Sequence, residues 1–264
     1  MRVITLLTDF GLQDTYVGAM KGVILSINPH AQVVDLTHNI PPQDIEAAAF
    51  LLNGAYRYFP AETIHVVVVD PGVGSERRGL AGRVGEYFFV APDNGVLSWV
   101  LADASSCAMV ELKNTAYFLP RISRTFHGRD VFAPVAAHLS RGVPLTSFGP
   151  PLTDPVRLDV PQPVIEENRI LAQVIHVDRF GNLITNVMDE TLARWRGCAN
   201  VVIEIAGQRI NEVSATYSAA PPHGLLALFG SSGHLEIAVR EGNAAEQLGV
   251  GRGARVSIGR HGRS

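Results

Sequence analysis

Val66-Val67-Val68-Val69-Asp70-Pro71-Gly72-Val73-Gly74-Ser75-Glu76-Arg77 decides the fold. Four consecutive valines behind Thr63-Ile64-His65 read as a short strand buried on both faces, as in the middle of a parallel sheet. Pro71 and Gly72 stop it, which puts the Asp70 carboxylate at the strand end. In open α/β sheets, ligands bind in the crevice outside the carboxyl ends of the strands. Two glycines let the loop approach a ligand closely, and Arg77 brings a permanent positive charge back toward the aspartate. The alternative is an aspartate capping its own turn, with Arg77 on the surface.

Upstream, Val3–Thr8 reads as a first strand ended by Asp9-Phe10-Gly11. A helix with apolar residues at helical spacing follows from Val17 to Leu25, and Asn28-Pro29 stops it. Val33–Leu36 is a second strand. Asp44 then caps a helix running to about Tyr58, with Ile45, Ala48, Ala49, Leu52 and Ala55 on one face. Strand, helix, strand, helix, strand is the pattern of right-handed βαβ units, so Asp9 and Asp70 fall on the same sheet edge.

Downstream, Tyr87–Ala91 and Ala108–Leu112 read as strands, with a short helix from Val96 to Leu101 between them. Val131–Leu139 reads as an apolar helix with Asp130 as its cap. His127 therefore lies just before a helix N-terminus, where anions are welcome. Prolines at 150, 151, 155, 161 and 163 mark a stiff linker. The expected organisation is an α/β domain over residues 1–149, with a mostly parallel sheet flanked by helices, then a linker over 150–165. A smaller, mainly antiparallel β domain follows over 166–264. Its strands are expected at 169–177, 183–186, 200–205, 225–229, 234–238 and 254–258. Two of its loops carry polar groups: Asp178-Arg179-Phe180-Gly181-Asn182 and Gly230-Ser231-Ser232-Gly233. Either suits a small polar ligand with an aromatic ring, and either suits an ordinary hairpin.

The bulk composition narrows the classes. The chain has 264 residues, 47% hydrophobic and 18% charged, with a net charge of −3, which gives no footprint for nucleic acid. Its basic residues are scattered apart from the tail Arg260-His261-Gly262-Arg263, expected to fray. Cys107 and Cys198 are too few and too far apart for a disulfide framework or a metal cluster. Neither a signal peptide nor an apolar run near the roughly 20 residues of a membrane span is found, so a cytoplasmic location is expected. Gly72-Val73-Gly74 lacks the third glycine of a dinucleotide fingerprint, and no phosphate loop or Gly-x-Ser-x-Gly elbow occurs. The nine histidines show no paired zinc spacing. His65 and Asp70 sit an odd number apart on one strand and face opposite ways. The expected chemistry runs on Asp, Arg and His, without a metal.

Six motifs occur in order: Thr8-Asp9-Phe10-Gly11 with Asp14; Val33-Val34-Asp35-Leu36-Thr37-His38; Val69–Gly74; Phe126-His127-Gly128-Arg129-Asp130; Asp178–Leu183; and Ser231–Ala238. Together they resemble the S-adenosylmethionine (SAM) hydroxide adenosyltransferases, or SAM hydrolases, relatives of the fluorinase and chlorinase. The resemblance implies hydrolysis of SAM to adenosine and methionine. It also implies a homotrimer whose ligand lies between one subunit's N-terminal domain and a neighbour's C-terminal domain, with SAM as substrate and no cofactor. Carried over, Asp70, Arg77 and His127 match the water-activating triad. Asp9 would hold the ribose hydroxyls, and Asp14, Asp178 and Ser231 the methionine part. Asn182 would hold the adenine edge, with Phe180 and Ser232 also against substrate. Ser232 stands where the fluorinase has an arginine, Asp70 where it has a tyrosine, and His127-Gly128 where it has Tyr-Ser. A carboxylate beside a halide site would repel the anion, which fits hydrolysis better than halogenation. The alternatives are a halogenase of the same fold and a non-catalytic binder of SAM or adenosine.

Overall fold

The computed structural model describes residues 2–102, 104–197 and 200–260; Cys198 and the tail from His261 onward lie outside the described residues. Residues 1–160 and 161–264 form two compact units.

The first unit contains, in order, β1 (Val3–Thr8), α1 (Tyr16–Ile27), β2 (Gln32–Thr37), α2 (Ile45–Ala55), β3 (Ile64–Val68), β4 (Gly79–Val84), β5 (Tyr87–Pro92), α3 (Ser98–Ala102), β6 (Cys107–Glu111) and α4 (Ala133–Ser140). They build a six-stranded sheet of order β2-β1-β3-β5-β4-β6. The strands β2, β1, β3 and β5 run parallel, and β4 runs antiparallel between β5 and β6. Every residue of β3 is buried, as the valine run requires of a strand covered on both faces. Ile64, Val66 and Val68 face a core completed by Val17, Met20 and Ile24 of α1 and Val135 and Leu139 of α4. Val67 and Val69 face the opposite core, with Ala48 and Leu52 of α2 and Val100 of α3. The Asp44 side chain caps α2 by accepting from Ala47 N at 3.0 Å.

The β4 strand is the element the sequence pattern hides. Gly79 and Gly82 break its apolar alternation, and glycine in a strand ordinarily weakens it. Here Gly82 is needed: a Cβ at this position would lie 2.8 Å from Met109 Cγ in β6. The proline-rich stretch after Gly149 is held on the first unit: Val156 N donates to Asp93, Leu158 N donates to Ser98, and Arg78 bridges Asp93 and Asp154.

His65 sits in the middle of β3 with no solvent exposure, ringed by Tyr56, Phe59, Tyr87 and Phe89. Its Nδ1 pairs with Thr5 Oγ1 at 2.7 Å. Burial pushes its pKa down to about 3, so the folded protein holds it neutral. In the unfolded chain it gains a proton near pH 6.5, so its stabilising contribution is whole above that pH and declines as the pH falls toward 3. Between pH 6.5 and 5.0 this costs about 2 kcal/mol of unfolding free energy. Urea unfolding at pH 7.5 and 5.0 checks it, since a His65→Gln variant should show a flatter pH dependence over this window.

The second unit contains β7 (Val164–Ile165), β8 (Arg169–Val177), β9 (Leu183–Met188), α5 (Asp189–Arg196), β10 (Val201–Ile205), β11 (Gln208–Ile210), β12 (Val213–Ser214), β13 (Leu225–Phe229), β14 (His234–Val239), α6 (Ala244–Leu248) and β15 (Arg255–Arg260). Its strands form a mostly antiparallel sheet of order β11-β10-β15-β8-β9-β14-β13-β12, with β7 on β8. Ile170, Ala172 and Val174 of β8 alternate into a core shared with Ile203, Ile237 and Ile258. No helix among the described residues is long and apolar enough to cross a membrane.

Candidate active site

In the first unit β1 and β3 are parallel neighbours with Thr8 opposite Val68, so Asp9 and Asp70 emerge from one sheet edge. Pro71–Ser75 then turns tightly: Val73 N donates to the Asp70 carbonyl and Ser75 N to the Gly72 carbonyl. Gly74 has a φ of +78°, and a Cβ there would fall 2.2 Å from the Arg124 carbonyl oxygen. Only glycine fits this turn, and the turn returns Arg77 to the aspartate.

Arg77 Nε donates to Asp70 Oδ1 at 2.8 Å and to Oδ2 at 3.0 Å, while Nη2 donates to Oδ2 at 2.5 Å. The same Nη2 lies 2.8 Å from His127 Nδ1. Arg77 also stacks on Phe132, with its guanidinium carbon 5.3 Å from the ring centre. The Asp70 side chain is 4% exposed and that of Arg77 is 12% exposed, so the charge pair is desolvated and held by fork geometry.

This contact fixes the state of His127. A guanidinium has donors only, so Nδ1 must carry the lone pair and the neutral ring must carry its proton on Nε2. Burial first, and the Arg77 charge second, hold the His127 pKa below its usual value; Asp70, Asp130 and a hydrogen bond to the Ser123 main chain pull it the other way.

His127 heads the helical segment, but the segment differs from the expected one. Residues Gly128–Phe132 form a π-helical turn before α4, and Ala133 N reaches back to the Gly128 carbonyl. Pro134 supplies the reason: it has no N–H for the Asp130 carbonyl, and Leu119 N takes that carbonyl at 2.9 Å instead. Asp130 is not the helix cap that its position suggests. It lies inside the turn, fully buried, and its carboxylate accepts from Ser123 N at 2.7 Å and from Arg129 Nε at 2.6 Å. It therefore fastens to the helical segment the loop that His127 touches.

Asp9, Asp70 and His127 line one cavity of about 380 Å³ together with Phe10, Tyr16, Gln43, Val68 and Phe126. Phe10, Tyr16 and Phe126 form an aromatic wall, with ring centres 5.2–5.8 Å apart. Asp9 Oδ2 accepts from Gln43 N at 2.8 Å. His38 holds the Asp9 loop from behind: its carbonyl accepts from Gly11 N, and its Nδ1 pairs with Thr8 Oγ1 at 2.9 Å. His38 Nε2 lies 3.0 Å from Asp35 Oδ1 without the alignment of a hydrogen bond. The aromatic wall and Gln43 line the cavity without being marked as site residues by the sequence, and Asp130, whose position suggests a cap, supports the loop beside His127. Phe10 and Phe126 stand inside two of the six ordered motifs, which is the signal the sequence carries for the wall.

Asp14 is exposed on the loop before α1 and is not among the residues lining the cavity. In the second unit, Asp178 through Asn182 form the β8–β9 hairpin turn. Asp178 Oδ1 accepts from Phe180 N and Asn182 N, and Oδ2 from Asn182 Nδ2, each at 2.9 Å. Phe180 is 74% exposed while Asn182 is buried. Ser231 and Ser232 lie exposed on the β13–β14 turn. Glu236 of β14 is buried, accepts from Tyr217 Oη at 2.9 Å and packs on Gly230. Burial, then the neighbouring Glu236, pushes the Tyr217 hydroxyl up to about 12. A larger hollow of about 720 Å³ lies on the outer face of the second unit's sheet. Its charged groups, such as Arg209 and Arg255, are solvent-exposed, so the cavity with the buried Asp–Arg–His group is the stronger candidate for chemistry. Among the described residues, no three of His, Cys, Asp and Glu gather as a metal-binding group.

The chain resembles known proteins across most of its length. It is 39% identical to an (R)-S-adenosyl-L-methionine hydrolase of Salinispora arenicola, over 97% of both chains. It is 31% identical to a fluorinase of an Actinoplanes species, over 70% of this chain and 71% of that one. A crystal structure of a conserved Thermotoga maritima protein superposes with a TM-score of 0.91 at 37% identity, covering 97% of this chain and 100% of the other. Residues 4–149 match the SAM hydroxide adenosyltransferase N-terminal domain and residues 172–257 its C-terminal domain, and the chain belongs to that family.

Proposed function

We infer that this protein hydrolyses SAM to adenosine and methionine by in-line attack of water on the ribose 5′ carbon. The observation that carries the reading is Arg77 bridging Asp70 and His127 at the wall of a cavity that also presents Asp9. The sulfonium leaves as a neutral thioether, so the leaving group needs no acid and the reading includes no cofactor. The difficulty lies with water, whose pKa in bulk is about 15.7.

Asp70 has roughly four lone-pair sites on its two oxygens. Arg77 takes two on Oδ2 and one on Oδ1, which leaves Oδ1 with one site for a water hydrogen. Arg77 supplies positive charge for the developing hydroxide, while neutral His127, accepting from Arg77 at Nδ1 and bonded to the Ser123 main chain, holds the guanidinium beside the cavity. Asp70 is paired with a guanidinium and orients the water; as the C5′–O bond forms and the C5′–S bond breaks, the proton the water loses is released to solvent. Hydroxide character meeting a sulfonium destroys charge in the transition state, and a closed, low-dielectric site favours that. Holding water in line at about 3 Å accounts for several kcal/mol of the barrier.

In the same reading Asp9 holds the ribose hydroxyls, and Asp14, Asp178, Phe180, Asn182, Ser231 and Ser232 hold the remainder of SAM. The homotrimer, with ligand between neighbouring subunits, and the cytoplasmic location belong to this proposal and rest on family membership. Halogenation is disfavoured by the Asp70 carboxylate at the place an anion would occupy, and the fluorinase match covers less of the chain than the hydrolase match. Incubation with SAM in the presence of chloride is expected to give adenosine and methionine in equal amounts and no 5′-chloro-5′-deoxyadenosine. The relatives are named for the (R) sulfonium epimer, so that epimer is supplied first. Chlorinated product would favour the halogenase, and bound ligand with no product over hours would favour a binder.

A further inference from the structure

Gln43 combines three features that the hydrolytic reading does not use. Its φ is +67°, in the left-handed region that side-chain-bearing residues rarely occupy. Its main-chain N–H donates to Asp9 Oδ2 at 2.8 Å. It lines the same cavity as Asp9, Asp70 and His127. Among the described residues, the other non-glycine residues with positive φ (Glu62, Ala206, His223 and Glu241) do not line that cavity. Local strain of this kind persists where the surroundings over-determine it, and it clusters at functional sites.

The local chain explains how the conformation is held. Asp44 N donates to the Pro41 carbonyl and Ile45 N to the Gln43 carbonyl, which closes a tight turn just before α2. The Asp44 side chain caps that helix. Pro41 and Pro42 restrict the entry to the turn. Gln43 lies between these constraints, and its N–H points back to the end of β1 instead of into α2.

We propose that Gln43 is a positioning residue for Asp9. Its left-handed backbone aims one N–H at Asp9 Oδ2, fixes the carboxylate and leaves Oδ1 for a ribose hydroxyl of the substrate. The inference rests on the proposed SAM hydrolysis, because it takes Asp9 as the ribose ligand. The working feature is the backbone conformation, so glycine, which adopts positive φ freely and keeps the N–H, should serve as well as glutamine. Valine, β-branched, resists that conformation.

Steady-state hydrolysis of SAM by Gln43→Gly, Gln43→Ala and Gln43→Val tests this, with adenosine affinity by calorimetry and thermal unfolding measured alongside. Gln43→Gly should keep KM within about twofold of wild type, while Gln43→Val should raise KM and the adenosine Kd about tenfold with kcat within about threefold. Gln43→Ala should fall between, and it carries the test if the valine variant does not fold. In an Asp9→Ala background Gln43→Val should have no further effect on KM, since its action runs through Asp9. A glycine variant as impaired as the valine one, additive effects with Asp9→Ala, or a valine variant equal to wild type would each overturn the proposal. A wild type that turns over SAM and ignores Gln43→Val overturns this inference alone; a wild type that releases no adenosine overturns the functional reading beneath it.

Discussion

Replacing His127 or Asp70 by alanine is expected to slow SAM hydrolysis by about 10²- to 10⁴-fold while adenosine affinity stays within a few-fold. Both residues line the cavity, and in the proposed reading water is held beside them while Asp9 and the aromatic wall of Phe10, Tyr16 and Phe126 take the nucleoside. His127→Ala leaves that contact surface in place and removes the group that holds the guanidinium; Asp70→Ala also strands the Arg77 charge, so it is assayed at a temperature where unfolding shows it folded. The same geometry sets a pH dependence. His127 Nδ1 accepts from Arg77 Nη2, so a protonated ring would set two donors against each other. Its pKa is held below 6.5 by burial and by Arg77. Turnover should therefore be flat across neutral pH and fall as acid protonates the ring, below pH 6.5. Product release measured with pre-bound SAM separates the steps. Loss of binding with unchanged turnover of bound ligand would contradict these roles.

Arg77→Met is expected to destabilise the fold by about 3–5 kcal/mol, because it strips the partner from a carboxylate that is almost fully desolvated. The Asp70 side chain is 4% exposed and takes three hydrogen bonds from Arg77. The turn from Pro71 to Ser75 is closed partly by this pair, and Gly72 packs on the Arg77 stem. The double variant Asp70→Asn/Arg77→Met leaves no unpaired charge and should recover most of the lost stability. Its activity should stay absent, since both the orienting carboxylate and the guanidinium are gone. Urea unfolding of the three variants decides the matter. A loss below about 1 kcal/mol for Arg77→Met would place the pair in the class of solvent-screened surface bridges and contradict its burial.

Residues with strong local signals made much of this legible in sequence. The valine run gave β3 its place at the sheet centre, and the Pro71-Gly72 stop gave Asp70 its place at the edge. Arg77, seven residues on, and His127, before the α4 region, meet as the family resemblance implies, and no rule of periodicity or spacing predicts that contact. What stayed hidden depends on tertiary partners. Gly79 and Gly82 read as breakers until Phe132, beside the first, and Met109 of β6, beside the second, are seen to need the space. Pro134 reads as a residue of a helix's first turn, and the π-helical turn follows only once Leu119 is seen to take the Asp130 carbonyl. Asp130 reads as a cap because its nearest-neighbour chemistry suits one, but Ser123 and Arg129 claim the carboxylate. The helix Asp189–Arg196 did carry a signal, with acids in its first turn and arginines in its last. Its polar character masked it beside the alternating strands.

The measurement that bears most directly on the central claim is hydrolysis of SAM in ¹⁸O-labelled water with both products analysed by mass spectrometry. Attack on the ribose 5′ carbon puts one label in adenosine, at its 5′ oxygen, and none in methionine. Label in the amino-acid product, unlabelled adenosine, or no adenosine at all would contradict a site in which Asp70, Arg77 and His127 hold water against that carbon.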